Sequence, residues 1–340
     1  MSIRTLHVGL GPIGAAVARQ IAGRAGFRIV GAVDVEPALA GRDLGGVIGL
    51  DRRLRVSVTN DLARALAKAR ADIAVLCTSS SLERVMPDIE RILRARTAIV
   101  STTEELAYPW YSHRRRAAAI DDRARRARVG VLGTGVNPGF VMDALPIVLT
   151  GVCARVDRLT IQRVQDARQR RLPFQQKIGA GLTEAEFAAR VRAGRVRHVG
   201  LTESVAMIAA ALGWTLDRIT DEIRPKVAEA PVRSDHLAVD AGRVCGLIQD
   251  GTGFRAGDPV IRLHMEAYLG APESYESVDI DGDPPLAMRI PSGVPGDIAT
   301  ASVVVNMIPR VLAAPPGLHT MLTLPLPRWT ARPVVPQRTK

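Results

Sequence analysis

Residues 5–14 read TLHVGLGPIG, and this stretch decides the fold because a short apolar run leads directly into a GxGxxG pattern. The first glycine permits a tight turn, the second lets a pyrophosphate approach the backbone, and the third permits close contact between helix and strand. The N-terminus of the helix that follows attracts the anion. The stretch therefore predicts a dinucleotide-binding turn made by Gly9, Gly11, Pro12, Ile13 and Gly14.

A carboxylate follows at the spacing that such a turn requires. Asp34 lies 20 residues past Gly14, at the end of the apolar run RIVGAV. An acid there can hydrogen-bond the adenosine ribose, and it repels a 2′-phosphate, which favours NAD. Arg42, with Arg52 and Arg53, could instead accommodate the phosphate of NADP. We therefore expect NAD, with NADP as the open alternative.

The first half of the chain alternates short apolar runs with helix-like stretches, which is typical of a parallel sheet wound with crossover helices. The runs predict five strands, at residues 5–9, 28–33, 72–77, 98–101 and 129–132. Apolar spacing of three and four predicts helices at residues 13–25, 61–69, 81–94 and 111–126. The fold class is therefore α/β, beginning with a Rossmann domain that has a doubly wound parallel sheet.

A second pattern starts near residue 155, where alternating strands surround two strong helices and predict an α+β domain with an open mixed sheet. A long apolar helix follows and stops at Pro315, Pro316 and Gly317, ahead of a tail that reads as loosely ordered. We predict a dinucleotide-binding domain over residues 1–145, an α+β substrate domain over 146–295, and a C-terminal helix and tail over 296–340.

Composition excludes several classes of protein. The net charge is +12, but 42 of the 46 basic residues are arginines scattered along the chain, and few aromatic residues are available for base stacking. No apolar run approaches the roughly 18 residues of a spanning helix. The three cysteines have neither CxxC nor Cys/His spacing. We expect a cytoplasmic globular protein that binds no nucleic acid, membrane or metal.

Polar loops follow the later strands, at the edge of the sheet where ligands bind. They contain the candidate cofactor contacts Thr78, Ser79, Ser80, Thr102 and Asn137. Glu104 and Glu105 are the only acid pair so placed, and a carboxylate above a nicotinamide can act as general base and acid. An acid at that position is equally typical of the start of a helix. Asn137-Pro138 is likewise typical of a helix start, and His113 with its arginines reads as a solvated helix face.

Longer stretches resemble a known family, 2,4-diaminopentanoate dehydrogenase and the related native amine dehydrogenases of the dihydrodipicolinate-reductase-like group. They are VSTTEELAYPW (100–110), GTGVNPGFVMDALPIVLT (133–150), RLPFQQKIGAGLTEAEF (171–187), HVGLTESVAMIAAALGW (198–214) and PSGVPGDIATASVVVNMIPRVLAAPPGL (291–318). The resemblance covers both domains. The paired histidines and lysine of the dihydrodipicolinate reductase signature are absent, which argues against that substrate.

The resemblance implies an activity and roles for individual residues. It implies NAD(P)-dependent oxidative deamination of an amine or diamino acid, reductive amination of a ketone or aldehyde with ammonia as the reverse reaction, and a homodimer. It places the catalytic glutamate in TTEEL, on Glu104 with Glu105 in reserve. The implied substrate-pocket residues are Phe140, His198, His264 and Asn306, with Asn137 also beside the nicotinamide.

Two other functions remain open from the sequence. One is a different Rossmann oxidoreductase, such as an imine reductase or a homoserine-dehydrogenase-like enzyme, which ammonia dependence would separate from an amine dehydrogenase. The other is a non-catalytic dinucleotide sensor, which needs the glycines but no acid above the nicotinamide. The sequence does not identify the substrate, because Arg163, Arg168, Arg170 and Arg171 are all candidates to pair with a substrate carboxylate.

Overall fold

A computed structural model describes residues 2–333 of the chain. The chain divides into two compact units: the residues up to Phe140 together with those from Pro295 onward, and the intervening stretch Val141–Val294. The sequence predicted domain limits after residues 145 and 295, and these limits remain a prediction.

The first unit begins with alternating strands and helices. In chain order they are β1 (Ile3–Val8), α1 (Pro12–Ala22), β2 (Phe27–Val33), α2 (Leu44–Val47), β3 (Val58–Thr59), α3 (Leu62–Ala69), β4 (Ile73–Leu76), α4 (Leu82–Arg94), β5 (Ala98–Ser101), α5 (Arg114–Ala127) and β6 (Gly130–Gly133). The central strands β4 and β5 are buried along their whole length, as expected for a parallel sheet with helices on both faces.

The second unit combines long strands with short helices. Its elements are α6 (Ala144–Leu149), β7 (Arg155–Asp166), α7 (Leu172–Lys177), α8 (Glu184–Arg192), α9 (Leu201–Ala211), β8 (Arg218–Val227), β9 (Val232–Arg233), β10 (Ala238–Val239), β11 (Val244–Arg255), β12 (Asp258–Tyr268), β13 (Tyr275–Asp283) and β14 (Leu286–Pro291). The capping box predicted at Thr183 and Glu186 opens α8.

The chain then returns to the first unit through α10 (Gly296–Ala313) and β15 (Gly317–His319). Within residues 2–333, α10 is the one helix long and apolar enough to cross a bilayer. It packs on α1 and on strands β5 and β6, and Val304, Met307 and Ile308 are fully buried, so it is a core helix of this unit. At the start of the tail, Gly317–His319 form β15 beside β6, whereas residues 320–333 form no further helix or strand. The rest of the predicted loose tail, residues 334–340, lies outside the described residues.

All seven strands of the first sheet are parallel, in the order β15-β6-β5-β4-β1-β2-β3. The winding reverses between β1 and β4, and in such sheets ligands bind at this switch point, outside the carboxyl ends of the strands. The predicted α/β class is confirmed. Strands β3 and β15 were not predicted, because runs of two or three residues are too short to show a period.

The second sheet is mixed, in the order β14-β13-β7-β12-β11-β8, with only β7 and β12 parallel. Helix α9 packs on one face of it, against β8, β11 and β12. The opposite face carries polar side chains and includes a groove of about 600 Å³. The predicted open mixed sheet is confirmed.

A buried histidine makes the stability of the first unit sensitive to acid. His7 is 1% exposed in the middle of β1, and burial lowers its pKa from 6.5 to about 4. Between about pH 6.5 and pH 4, His7 is therefore protonated in the unfolded chain but neutral in the folded chain. The free energy of unfolding consequently falls as the pH drops through this range. We expect this histidine to account for roughly 3 kcal/mol of that loss.

His7→Gln isolates this contribution because glutamine does not titrate. Denaturant unfolding of both proteins between pH 7 and pH 4 should give the variant a shallower decline in the free energy of unfolding. Parallel declines would show that His7 is protonated in the folded chain.

Candidate active site

In the glycine turn after β1, the backbone geometry requires glycine at two positions. Gly9 has φ +90°, and a Cβ on it would lie 2.6 Å from the carbonyl oxygen of Cys77. A Cβ on Gly14 would collide with the carbonyl oxygen of Gly9. Neither position accepts a side chain while the turn keeps its shape. Both glycines therefore fix the approach of α1 to β1 and β4.

Gly11 differs from the other two glycines of the turn. Its φ of −56° suits any residue, and no atom lies within 4 Å of the position a Cβ would take. The fold therefore leaves open space at the N-terminus of α1, where backbone N–H groups without a side-chain cap face outward. Open space beside unpaired donors fits a dinucleotide pyrophosphate.

Asp34 is held against this turn by two backbone hydrogen bonds. Its Oδ2 accepts from the N–H of Leu10 at 2.5 Å, and its Oδ1 accepts from the N–H of Glu36 at 2.9 Å. Arg42 lies on the far side of β3, where its carbonyl accepts from Val58 at 2.9 Å. Two strand spacings, about 10 Å, separate that backbone from β2. The structure thus brings Asp34 to the glycine turn and places the Arg42 backbone on the far side of β3.

The loop after β4 meets the loop after β5 at the switch point. The Cys77 thiol forms a hydrogen bond with Thr102, and burial raises its pKa to about 11, with the charge of Glu104 adding to the increase. The Thr103 hydroxyl donates to the carbonyl of Ser79 at 2.8 Å. Glu104 therefore lies close to the end of β4, as the sequence predicted for residues at this edge.

Glu104 and Glu105 share a 3-10 turn, Glu104–Leu106. Oε2 of Glu105 accepts from the backbone N–H of Leu82 at 2.7 Å and lies 3.1 Å from Nε2 of His113. Glu105 thus contacts the start of α4 and α5. The prediction of a solvated helix face agrees with the exposure of Arg114 and Arg115, but it is wrong for His113, whose side chain is 19% exposed and lies beside this carboxylate.

The loop after β6 is not the start of a helix. The Asn137-Pro138 peptide is cis, Gly139 has φ +125°, and the next helix begins only after Asp143. The N–H of Val136 donates to the hydroxyl of Thr300 on α10 at 3.4 Å. Thr300 was missed from the sequence because nothing in an apolar helix marks the residue that meets a distant loop. Phe140 follows Gly139 as the last residue of this stretch of the first unit.

Each of three predicted pocket residues contacts a different neighbour within its own unit. Asn306 accepts from Arg24 at 2.7 Å, at the end of α1 opposite the glycine turn and about 16 Å from it by helix length. The backbone of His198 is bound to the side chain of Gln249, whereas the ring of His264 contacts Asp250. Because successive residues of a strand point to opposite faces, His198 and His264 lie on opposite sides of the second sheet.

His264 belongs to a network of charged side chains. Its ring nitrogens lie 2.7 Å from Asp250 and 2.9 Å from Glu266. Burial opposes the charged form, but hydrogen bonds to both carboxylates outweigh it and raise the pKa of His264. Within residues 2–333, no three His, Cys, Asp or Glu side chains are grouped so that they could hold a metal ion.

Comparison with known proteins identifies the family. The family model for the 2,4-diaminopentanoate dehydrogenase C-terminal domain matches residues 140–336. The chain is 33% identical to 2,4-diaminopentanoate dehydrogenase of Acetoanaerobium sticklandii, over 96% of this chain and 94% of that one. The chain belongs to the 2,4-diaminopentanoate dehydrogenase family.

More distant relatives agree with this assignment. An amine dehydrogenase of Streptomyces virginiae is 24% identical, over 95% of this chain and 96% of that protein. The solved structure of an amine dehydrogenase from Mycobacterium smegmatis superposes with a TM-score of 0.87 at 28% identity, covering 98% of each chain. The resemblance seen in the sequence is confirmed, and the dehydrogenase fold extends over both units.

Proposed function

We propose that the chain is a nicotinamide-dependent amine dehydrogenase, which deaminates an amine or diamino acid oxidatively and catalyses the reverse reductive amination of a ketone or aldehyde with ammonia. The observation that carries the proposal is the place of Glu104, on the turn after β5 beside the switch point, in a sheet whose glycine turn leaves room for a dinucleotide. Similarity to 2,4-diaminopentanoate dehydrogenase over nearly the whole chain supports the same reaction.

Glu104 would handle the protons of this reaction, while the bound nicotinamide supplies the hydride chemistry. In deamination, its carboxylate takes a proton from the substrate ammonium group, which frees the nitrogen lone pair to form the C=N bond. After releasing that proton to solvent, it removes a proton from the water that attacks the carbon and returns this proton to the nitrogen. As the C–N bond breaks, the carboxylate takes the hydroxyl proton and passes it to the departing ammonia, which leaves as ammonium. The overall change converts a protonated amine, NAD⁺ and water into a ketone, ammonium, NADH and a proton.

A substrate panel tests the proposal. Amines and ketones with and without a carboxylate would be assayed with NAD and NADP, and the ketones with and without ammonia. Ketone reduction that depends on ammonia supports an amine dehydrogenase. Turnover of preformed imines or of alcohols without ammonia would indicate an imine reductase or a homoserine-dehydrogenase-like enzyme. Dinucleotide binding without any turnover would indicate a sensor.

We propose NAD as the preferred cofactor. Asp34 carries a carboxylate beside the glycine turn, Glu36 adds a second acid two residues later, and the Arg42 backbone lies beyond β3. Two negative charges near the ribose position disfavour a 2′-phosphate. The roles of Thr78, Ser79, Ser80, Thr102 and Asn137 as further cofactor contacts remain proposals.

Asp34→Ala is expected to move the cofactor preference toward NADP, because it removes the charge that repels the phosphate. The ratio of kcat/KM for NAD to that for NADP should fall by about tenfold or more, the effect of losing about 1.4 kcal/mol of discrimination. Asp61→Ala, at the start of α3, is a control that removes an exposed acid elsewhere in the same unit. An unchanged ratio in Asp34→Ala would mean that Asp34 does not contact the ribose.

Arginines that are candidates to pair with a substrate carboxylate already contact other groups of the protein. Arg163 is buried and bonded to Glu276 at 2.5 Å, so its charge is already balanced inside the second unit. Arg168 is paired with a neighbouring aspartate at 2.6 Å. Arg170 donates to Oε1 of Gln165 at 3.1 Å and lies over the ring of Phe174, so these contacts do not single out one arginine as the partner of a substrate carboxylate.

We also propose a cytoplasmic homodimer that forms through the open face of the second sheet. This face carries both signs of charge, with Arg224 and Arg262 near Glu222 and Asp250. A two-fold interface needs such a self-complementary surface, because each patch meets its own copy. Sedimentation should give twice the mass of the chain, and a monomer at micromolar concentration would contradict the proposal.

A further inference from the structure

The first turn of α4 is capped by a residue from a different loop. Ser81, the N-cap residue, makes no side-chain cap bond. Instead, Oε2 of Glu105 accepts from the N–H of Leu82 at 2.7 Å, and the same oxygen lies 3.1 Å from Nε2 of His113. The Glu105 and His113 side chains are 25% and 19% exposed. A carboxylate at a helix N-terminus is stabilising, so the turn carrying Glu105 is tied to two helices at once.

Further contacts hold the same turn on both sides. The N–H of Glu105 donates to the carbonyl of Ser80 at 3.3 Å, and the Thr103 hydroxyl donates to that of Ser79 at 2.8 Å. On the other side the turn packs on the end of β6, where a Cβ on Gly133 would lie 2.5 Å from the backbone of Leu106. The turn therefore has little freedom to shift relative to the ends of β4 and β6.

We propose that Glu105 and His113 are a positioning pair, which fixes the location of the Glu104 carboxylate. This inference rests on the proposed function, in which Glu104 moves the proton. Oε2 of Glu105 is occupied by two donors, so its carboxylate anchors the turn and does not carry the substrate's proton. Misplacing a catalytic group by about 1 Å can cost about 10²-fold in rate, so a rigid turn serves catalysis directly.

Conservative and disruptive substitutions separate this role from a catalytic one. The side-chain oxygen of glutamine at position 105 can still accept from Leu82 and His113, whereas alanine cannot. Glu105→Ala is expected to lower kcat about tenfold or more, with the KM for the amine and the Kd for NAD within about threefold of wild type. Glu105→Gln should restore kcat to within about threefold of wild type.

The pH profile of kcat provides a readout that a loss of stability alone would not move. Its limbs report the groups that transfer protons in the bound complex. Glu105→Ala should displace the limb assigned to Glu104, because the turn settles in a new place, while Glu105→Gln leaves the limb where it is. His113→Ala should act in the direction of Glu105→Ala, and His113→Gln, which can still donate, should reverse the effect.

An ion pair between α4 and α5 provides a matched control. Arg116 on α5 lies 3.4 Å from Glu83 on α4, but the Glu83 side chain is 75% exposed and does not touch the turn. Exposed pairs of this kind contribute little to stability. Glu83→Ala should leave kcat and the pH profile as in wild type.

Each outcome decides between the alternatives. The positioning role would be overturned if Glu105→Ala had the kcat and the pH profile of wild type. It would also be overturned if Glu105→Gln were as inactive as Glu104→Gln, because Glu105 would then carry the proton. If Glu105→Ala does not fold, equal kcat in His113→Ala and His113→Gln would overturn it. Full activity in Glu104→Gln would overturn the proposed function, whereas an inactive Glu104→Gln beside an intact Glu105→Ala overturns only the positioning pair.

Discussion

Glu104→Gln is expected to lower amine turnover by about 10²-fold or more while NAD binding survives. Glutamine keeps the size and hydrogen-bonding capacity of the side chain but cannot exchange a proton. Glu104 begins the 3-10 turn that follows the carboxyl end of β5, at the edge of the sheet where substrate and nicotinamide are expected. Steady-state kinetics with calorimetry of NAD binding would measure both quantities.

The neighbouring glutamate is the internal control for that experiment. Glu105 is hydrogen-bonded to Leu82 and His113, so Glu105→Gln should retain most of the ammonia-dependent activity. An inactive Glu105→Gln beside an active Glu104→Gln would move the catalytic role by one residue and keep the mechanism. If both variants stay active, no carboxylate in this turn carries the proton, and the mechanism is wrong.

Gly11→Val is expected to weaken NAD binding by about 10- to 10²-fold or more while the protein remains folded. The φ of −56° suits valine, and no protein atom lies within 4 Å of the new Cβ. The side chain would instead occupy the space that the pyrophosphate needs, and overpacking of this kind costs about 1–3 kcal/mol. Calorimetry would measure the affinity, and thermal unfolding would show an unchanged Tm.

Gly14→Ala, in the same turn, is expected to lower the stability of the protein, in contrast to Gly11→Val. Its Cβ would collide with the carbonyl oxygen of Gly9, so this smaller substitution should lower the Tm even without cofactor. Equal effects of both variants on stability would mean that Gly11 serves the fold and not the ligand. Undiminished NAD binding in Gly11→Val would place the pyrophosphate elsewhere.

The sequence by itself determined the elements whose residues are neighbours along the chain. The glycine turn, the buried strands β4 and β5, the capping box of α8 and the long helix α10 all follow from patterns within about 20 residues. The reason is that turns, caps and apolar periodicity are local properties. The same patterns, together with longer family-like stretches, were sufficient for the fold class and for the family.

Only the tertiary structure decided how distant residues are used. Glu104 and Glu105 are adjacent acids that the sequence does not distinguish. The structure distinguishes them because Leu82, 23 residues away, donates its N–H to Glu105. Asn306 lies in a family-like helix, yet Arg24 binds it 282 residues away in sequence. Such contacts depend on which strands and helices become neighbours when the sheet forms, and no local pattern records that. The division of roles within the candidate site therefore arises from the packing of the fold.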